Sequence, residues 1–354
     1  MSTSLRLVVL SVVSFSLLSV NPAAAQYKRR DLVSNVSGRA RRTDSNLING
    51  WGLAFFQHSA FWVADTGTGL SSLYGPEGAA VPLVVTIPPA PSQPFGPTGS
   101  PTGLVANATD DFVVSKKNGN SGPAVFIFDT EDGTISGWNP TVDPTHAVIA
   151  VDNSSSGTFY TGLAIGADSS GRDFIYAADQ ANNKVDIYDA SFKFVKSFTD
   201  TSLPPGYAAF GIQNIEGKLY VTFAGFFSGK VGGFVDIFDT SGNLLKHFAS
   251  MGELSLPWGL TLAPEDFGPF SNDVLVGNLG DGNISAFSRD GNFKGQLKDD
   301  DGQYISVSGL WALAFGTDPS KNGKTNQLFF TAGPLFYGEG LFGRISVDQD
   351  EGEK

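Results

Sequence analysis

The side chains able to do chemistry are few and scattered. His58, His146 and His247 are the only imidazoles in 354 residues, and there is no cysteine. Thiolate catalysis, disulfides and cysteine-held zinc are therefore excluded. No Gly-x-Ser-x-Gly elbow accompanies the histidines, which argues against a serine–histidine–carboxylate triad. Oxygen donors are better placed. Asp65, Asn118, Asp179, Asn182 and Asn278 each fall at or just past the end of an apolar run, in segments rich in Gly and Asn. Calcium accepts carboxylates, amide oxygens and backbone carbonyls in irregular geometry, so Asp65, Asn118, Asp179 and Asn278 form the candidate metal set. Such an ion would serve a hydrolase or lyase acting on a small ester, lactone or sugar acid. The other chemistry is recognition. Trp51, Trp258 and Trp311, with Phe226, Phe227, Phe336 and Tyr337, could roof a concave site edged by Asp65, Lys116, Asp179 and Asn278. Structural roles compete with both readings, because tight turns need Gly and Asn and indoles fill gaps between sheets.

The elements that would position these residues repeat. One unit runs as a Gly-Leu strand, a turn, an apolar strand ending in a polar residue, a loop, a strand ending near Asp, a Gly turn and a last strand. The clearest copy begins YTGLAIGADSSG at Tyr160, and further copies begin near Tyr207 and Leu256. Looser copies start at Asn49, Pro101 and Gly309. Equivalent positions are Trp51, Thr102, Thr161, Phe210, Trp258 and Trp311, at steps of 51, 59, 49, 48 and 53 residues. A period near 50 with four short strands per unit is the mark of a propeller blade. Paired and tripled apolar residues within strands suit sheets buried on both faces.

The sequence thus predicts an all-β, six-bladed β-propeller over residues 27–348. The sixth unit holds three strands, and YKRRDLVSN, Tyr27 to Asn35, is an unpartnered strand at the other end of the chain. Pairing the two would close the ring and leave no open sheet edge. In a four-stranded meander, inner strands begin on the face where second strands end. That face would carry Trp51, Thr102, Thr161, Phe210, Trp258 and Trp311 beside Asp65, Lys116, Asp179, Ala224, Asn278 and Ala332.

Residues 1–25 read as a signal peptide, with Arg6, an apolar run from Leu7 to Val20 and the small-residue site Ala23-Ala24-Ala25. The expected mature protein begins at Gln26 and is secreted, without stable membrane insertion, as a monomer. Sequons at Asn35, Asn107, Asn153 and Asn283 are candidate glycan acceptors in a eukaryotic secretory pathway, and chance matches in a chain rich in Ser, Thr and Asn compete with that reading. The formal net charge of −12 disfavours nucleic acid as a partner. Residues 349–354 form an acidic tail.

FIYAADQANNKVDIYDASFKFVKSF, Phe174 to Phe198, resembles an NHL repeat, and FVDIFDTSGNLLKHF repeats its second half. With RRDLVSN and INGWGLAF, the chain from Tyr27 to Val347 resembles a family of uncharacterised secreted NHL-like propeller proteins. The resemblance implies the fold and no particular activity. Among wider relatives of that architecture, a copper- and zinc-dependent amidating lyase needs clustered histidines, and calcium-dependent lactonases need an axial Glu, Asn, Asn and Asp. The leading expectation is a binding module for a small molecule, glycan or protein, using the face just described. The metal-dependent enzyme, calcium-type, is the alternative.

Overall fold

The computed structural model describes residues 27–92, 96–117, 119–334 and 338–347. The expected signal peptide and acidic tail lie outside them. Six antiparallel sheets surround one axis, and each is a meander whose first strand is innermost. The inner strands are Gly50–Ala54, Pro101–Ala106, Tyr160–Ala167, Ala208–Ile215, Pro257–Leu262 and Leu310–Phe315. Apolar side chains of each blade pack against the next, so hydrophobic clusters fill the seams between blades. No helix among the described residues is long and apolar enough to cross a membrane.

The ring closes as the strand count requires. Tyr27–Ser34 pairs antiparallel with Leu341–Val347, the third strand of the last blade, and so supplies its fourth. A short parallel addition, Arg42–Thr43, lies outside it. Tyr27 anchors the closure: it is buried, its hydroxyl donates to Phe267 O at 2.9 Å, and its ring stacks on Phe270.

A single device recurs in the inner strands. Each has an irregularity in its pairing with the second strand near the positions of Trp51, Thr102, Thr161, Phe210, Trp258 and Trp311. A bulge re-aims the side chain it carries. The residue that follows is Gly52, Gly103, Gly162, Gly211 or Gly259, and Ala312 in the sixth blade. At Gly52, Gly211 and Gly259 a Cβ would lie 2.3–2.4 Å from the carbonyl oxygen of Thr102, Trp258 and Trp311 respectively, on the neighbouring inner strand. The glycines therefore set how closely inner strands approach, which explains the repeated Gly-Leu pair.

The second blade corrects the sequence reading. Placing Lys116 where a second strand ends gave that role to DFVVSKKNG; Phe126–Thr130 takes the place instead. Val113–Ser115 and Ser121–Pro123 form a separate hairpin inserted between the first and second strands. Both segments are short apolar runs bounded by turn residues, and periodicity does not distinguish an insert from a blade strand.

Candidate binding funnel and its aromatic stopper

The bulges turn Trp51, Phe210, Trp258 and Trp311 into one cluster with Phe226, Leu256 and Leu279. Trp51 and Trp311 stack with ring centroids 3.6 Å apart, and Trp258 meets Trp311 edge-on at 5.8 Å. Polar ends are mostly tied down: Trp311 Nε1 donates to Asn49 Oδ1 at 2.8 Å, and Trp258 Nε1 to Thr161 O at 2.7 Å. Trp51 and Trp311 are essentially inaccessible. These indoles are the packing of a stopper across one end of the channel, the end where inner strands begin. They were expected to roof an open site there; the bulges aim them inward instead. Thr102 and Thr161, at the equivalent positions, use their hydroxyls to bond the next blade at Tyr160 O and Phe210 O.

Beyond the stopper the channel narrows to a throat lined by Gly52, Gly103, Leu163, Ile212, Leu260 and Ala312. It then widens to a funnel of about 570 Å³ that opens on the opposite face, where inner strands end. Leu53, Phe55, Val105, Ile165, Ala314 and Phe315 supply apolar wall, while Gln213, Asn214 and Thr261 supply side-chain polarity. Asn214 is committed, donating to Ile165 O across the blade seam at 3.0 Å. Gln213 is exposed in the funnel. Because each inner strand pairs on one side only, six strand edges also turn backbone N–H and C=O groups toward the axis. Among the described residues, no Asp, Glu, His, Lys or Arg lines the throat or funnel.

The acids and amides that were to ring the axis face their own blades. Asp65 is fully buried and accepts from Ser72 N at 3.0 Å and Ser72 Oγ at 2.6 Å. Burial raises its pKa well above the usual carboxylate range, against the lowering effect of Ser72. Asp179 accepts from Phe159 N and Asn182 N at 3.2 Å each and from Asn182 Nδ2 at 2.7 Å. Asn278 accepts from Ser255 N and donates to Glu253 O and Ser285 Oγ. Asp179 and Asn278 each fasten the chain entering a blade to the turn after its second strand. In place of a shared ion they hold separate hydrogen-bonded braces.

Lys116 sits on the inserted hairpin, on the funnel face, where it bonds Asp143. It is thus on the face opposite to the one expected, and the position it was assigned belongs to Asp129 and Thr130. Asn118, Phe336 and Tyr337 lie outside the described residues. Asp129 is a residue that sequence reasoning missed: buried, it accepts from Thr102 Oγ1 at 2.7 Å and from Gly103 N. Burial pushes its pKa up to about 7 against those two bonds. Aligning FIFDT with FWVAD and IYAAD would have revealed it. Of the sequons, Asn107 is buried, and its Nδ2 donates to Ala124 O at 2.8 Å and Asp111 O at 3.1 Å.

No family model matches the chain. It is 30% identical over 345 residues to uncharacterised protein R648 of Acanthamoeba polyphaga mimivirus, covering 92% of this chain and 82% of that protein. Uncharacterised protein L690 of the same virus is 29% identical over 352 residues, covering 93% and 90%. Among solved structures, a gluconolactonase from Xanthomonas campestris aligns with a TM-score of 0.55 and 13% identity, covering 86% of this chain and 87% of that one. Virginiamycin B lyase from Staphylococcus aureus aligns with a TM-score of 0.52 and 12% identity, covering 91% and 100%. At these identities the likeness to solved structures concerns the fold alone.

Proposed function

The chain belongs to the propeller family that includes mimivirus protein R648, and from that premise we propose that it is a binding module whose site is the axial funnel. The carrying observation is the lining: apolar walls, free strand edges and an exposed amide, with no titratable side chain among the described residues. A volume of about 570 Å³ suits a small ligand. Hydrolysis of an ester or lactone calls for a base, a nucleophile or a metal-bound water at the bound group, and the side chains here offer hydrogen bonds instead. The ligand is a neutral small molecule with an apolar body and one or two hydrogen-bonding groups, such as an aryl glycoside. An unpaired ionic group would be desolvated there without compensation.

The test is a thermal-shift screen of neutral glycosides and aromatic alcohols against wild type and Ala314→Trp. Ala314 lines the funnel, so an indole there occupies the ligand's space. Hits that stabilise wild type and lose their effect in Ala314→Trp support the reading. Equal stabilisation of both proteins places binding elsewhere and sinks it.

We also propose that the protein is exported. The signal-like leader, with its apolar run from Leu7 to Val20 and the small-residue site Ala23-Ala24-Ala25 ahead of Gln26, supports this. N-terminal sequencing of the exported form should begin at Gln26; retention of residues 1–25 would overturn it.

A further inference from the structure

We infer that Asp200, Asp236 and His247, on the outer half of the fourth blade, form a site for a divalent transition-metal ion of the manganese–zinc class. The site is independent of the axial funnel. Asp236 lies on the third strand, Lys230–Phe238, and His247 on the fourth, Leu244–Ser250, where the two residues are direct cross-strand partners. Asp200 comes from the connection between the third and fourth blades. One ligand atom from each residue lies within 4.8 Å of the others. His247 Nδ1 is 3.0 Å from Asp236 Oδ1 and 3.3 Å from Asp200 Oδ2.

The carboxylates are held in place and under-satisfied. Asp200 and Asp236 are 5% and 1% exposed. Asp200 Oδ1 accepts from Ser202 N at 2.8 Å, which fixes the group. Asp200 Oδ2 and Asp236 Oδ2 are buried and make no hydrogen bond, although His247 Nδ1 stands 3.3 Å from Asp200 Oδ2. Two buried carboxylates this close stay ionised together only with a cation between them; otherwise they share a proton.

The repeat supplies an internal control. In the third blade, KVDIYD places Asp186 where FVDIFD places Asp236, and Ser197 pairs across from Asp186 as His247 does from Asp236. Asp186 is satisfied there by Ser197 Oγ at 2.6 Å, Tyr160 OH at 3.0 Å and Lys184 Nζ at 2.9 Å. The fourth blade replaces this set of donors with an imidazole and a second carboxylate. That exchange converts a donor-filled brace into a ligand set of one nitrogen and two oxygens. Imidazole with carboxylates suits manganese or zinc, whereas calcium prefers oxygen donors throughout. His247 is half-exposed, leaving the remaining coordination positions to water. A bound ion would tie the connection after the third blade to the outer strands of the fourth, a cross-link in a chain that has no disulfides.

The experiment uses the full mature protein, stripped with chelator and titrated separately with manganese, zinc, cobalt and calcium chloride. At a hundredfold excess over Kd, manganese or zinc should raise Tm by about 4 °C for a chain of this size. Cobalt should produce a visible ligand-field spectrum. Both responses should vanish in His247→Gln, which alters an exposed side chain and leaves the strand pairing intact, and in Asp236→Asn. They should persist in Ala314→Trp, so failure here and failure of the funnel reading are separable. A folded wild type with no response to any ion, a response unchanged in His247→Gln, or a calcium response equal to that of manganese would overturn the assignment.

Discussion

Replacing Gly211 by alanine tests the geometry of the whole ring. Its backbone is not in the left-handed region, so alanine incurs no torsional penalty there. The obstacle is space: a Cβ would lie 2.3 Å from Trp258 O, 3.0 Å from Trp258 C and 3.1 Å from Thr222 Oγ1. The first two contacts are backbone, so no rotamer change relieves them, and the inner strands of the fourth and fifth blades must separate by nearly 1 Å. Overpacking of this kind costs about 1–3 kcal/mol, occasionally more. Reduced freedom of the unfolded chain returns about 0.4–1 kcal/mol. The net expectation is a loss of about 1 kcal/mol, read as a lower guanidinium midpoint and a Tm about 2 °C lower. Gly75→Ala is the control, because the nearest atom to its Cβ would be Ala79 O at 3.7 Å, an ordinary contact. If Gly211→Ala is as stable as Gly75→Ala, the glycines do not set the strand spacing, and the account of the throat fails with them.

The closing strand should be indispensable. Tyr27→Ala removes a buried ring and its bond to Phe267 O, at a cost of about 3–5 kcal/mol in urea unfolding, and a loss under 1 kcal/mol would contradict ring closure through this residue. Asp129 should make stability fall as pH rises. Burial lifts its folded pKa to about 7, above the unfolded value near 3.9, so the native state holds the extra proton and the favourable contribution present at low pH is lost between about 4 and 7. Asp129→Asn should reduce that slope by about 1.4 kcal/mol per pH unit, measured by denaturation at pH 5 and pH 7, and an unchanged slope would refute the burial argument. Asn107 should carry no glycan when the chain passes through a eukaryotic secretory pathway, since its Nδ2 is spent on backbone carbonyls; intact-mass comparison with Asn107→Gln should show no glycan difference.

How much of this could be read from the residues depends on the range of the interaction involved. Blade number, inner-strand positions and closure by YKRRDLVSN follow from local pattern and a count, because each blade repeats the same hydrophobic and turn signals. The inserted hairpin escaped that logic. Val113–Ser115 has strand composition, and only three-dimensional pairing assigns the second-strand place to Phe126–Thr130. The direction of Trp51, Trp258 and Trp311 escaped it for another reason. A bulge of one residue reverses the facing of a side chain without changing composition. The Asp200, Asp236 and His247 group is legible in part, since superposing KVDIYD on FVDIFD shows Asp186 and Asp236 as equivalents with different partners. Asp200 is not, because its approach is set by a connection outside the repeat.

The same bulge decides where function can reside. A propeller channel has two mouths, and the repeat alone treats both as equally available. In this chain the inner-strand irregularities aim four aromatic residues at one mouth, and the Trp51–Trp311 stack closes the seam between the first and sixth blades. Closing that mouth removes the expected face from direct access to the channel and leaves the funnel as the way in. Glycine at the next position then draws the inner strands together beneath the stopper. Rigidity at one end and access at the other thus arise from adjacent residues of the same repeat. A variant that opens the stopper, Trp311→Ala, should therefore weaken the fold before it creates a second entrance. Loss of the Trp51 stack and of the bond to Asn49 predicts destabilisation of about 3–5 kcal/mol. A Trp311→Ala protein with wild-type stability would show that the indoles cover the mouth without holding the ring.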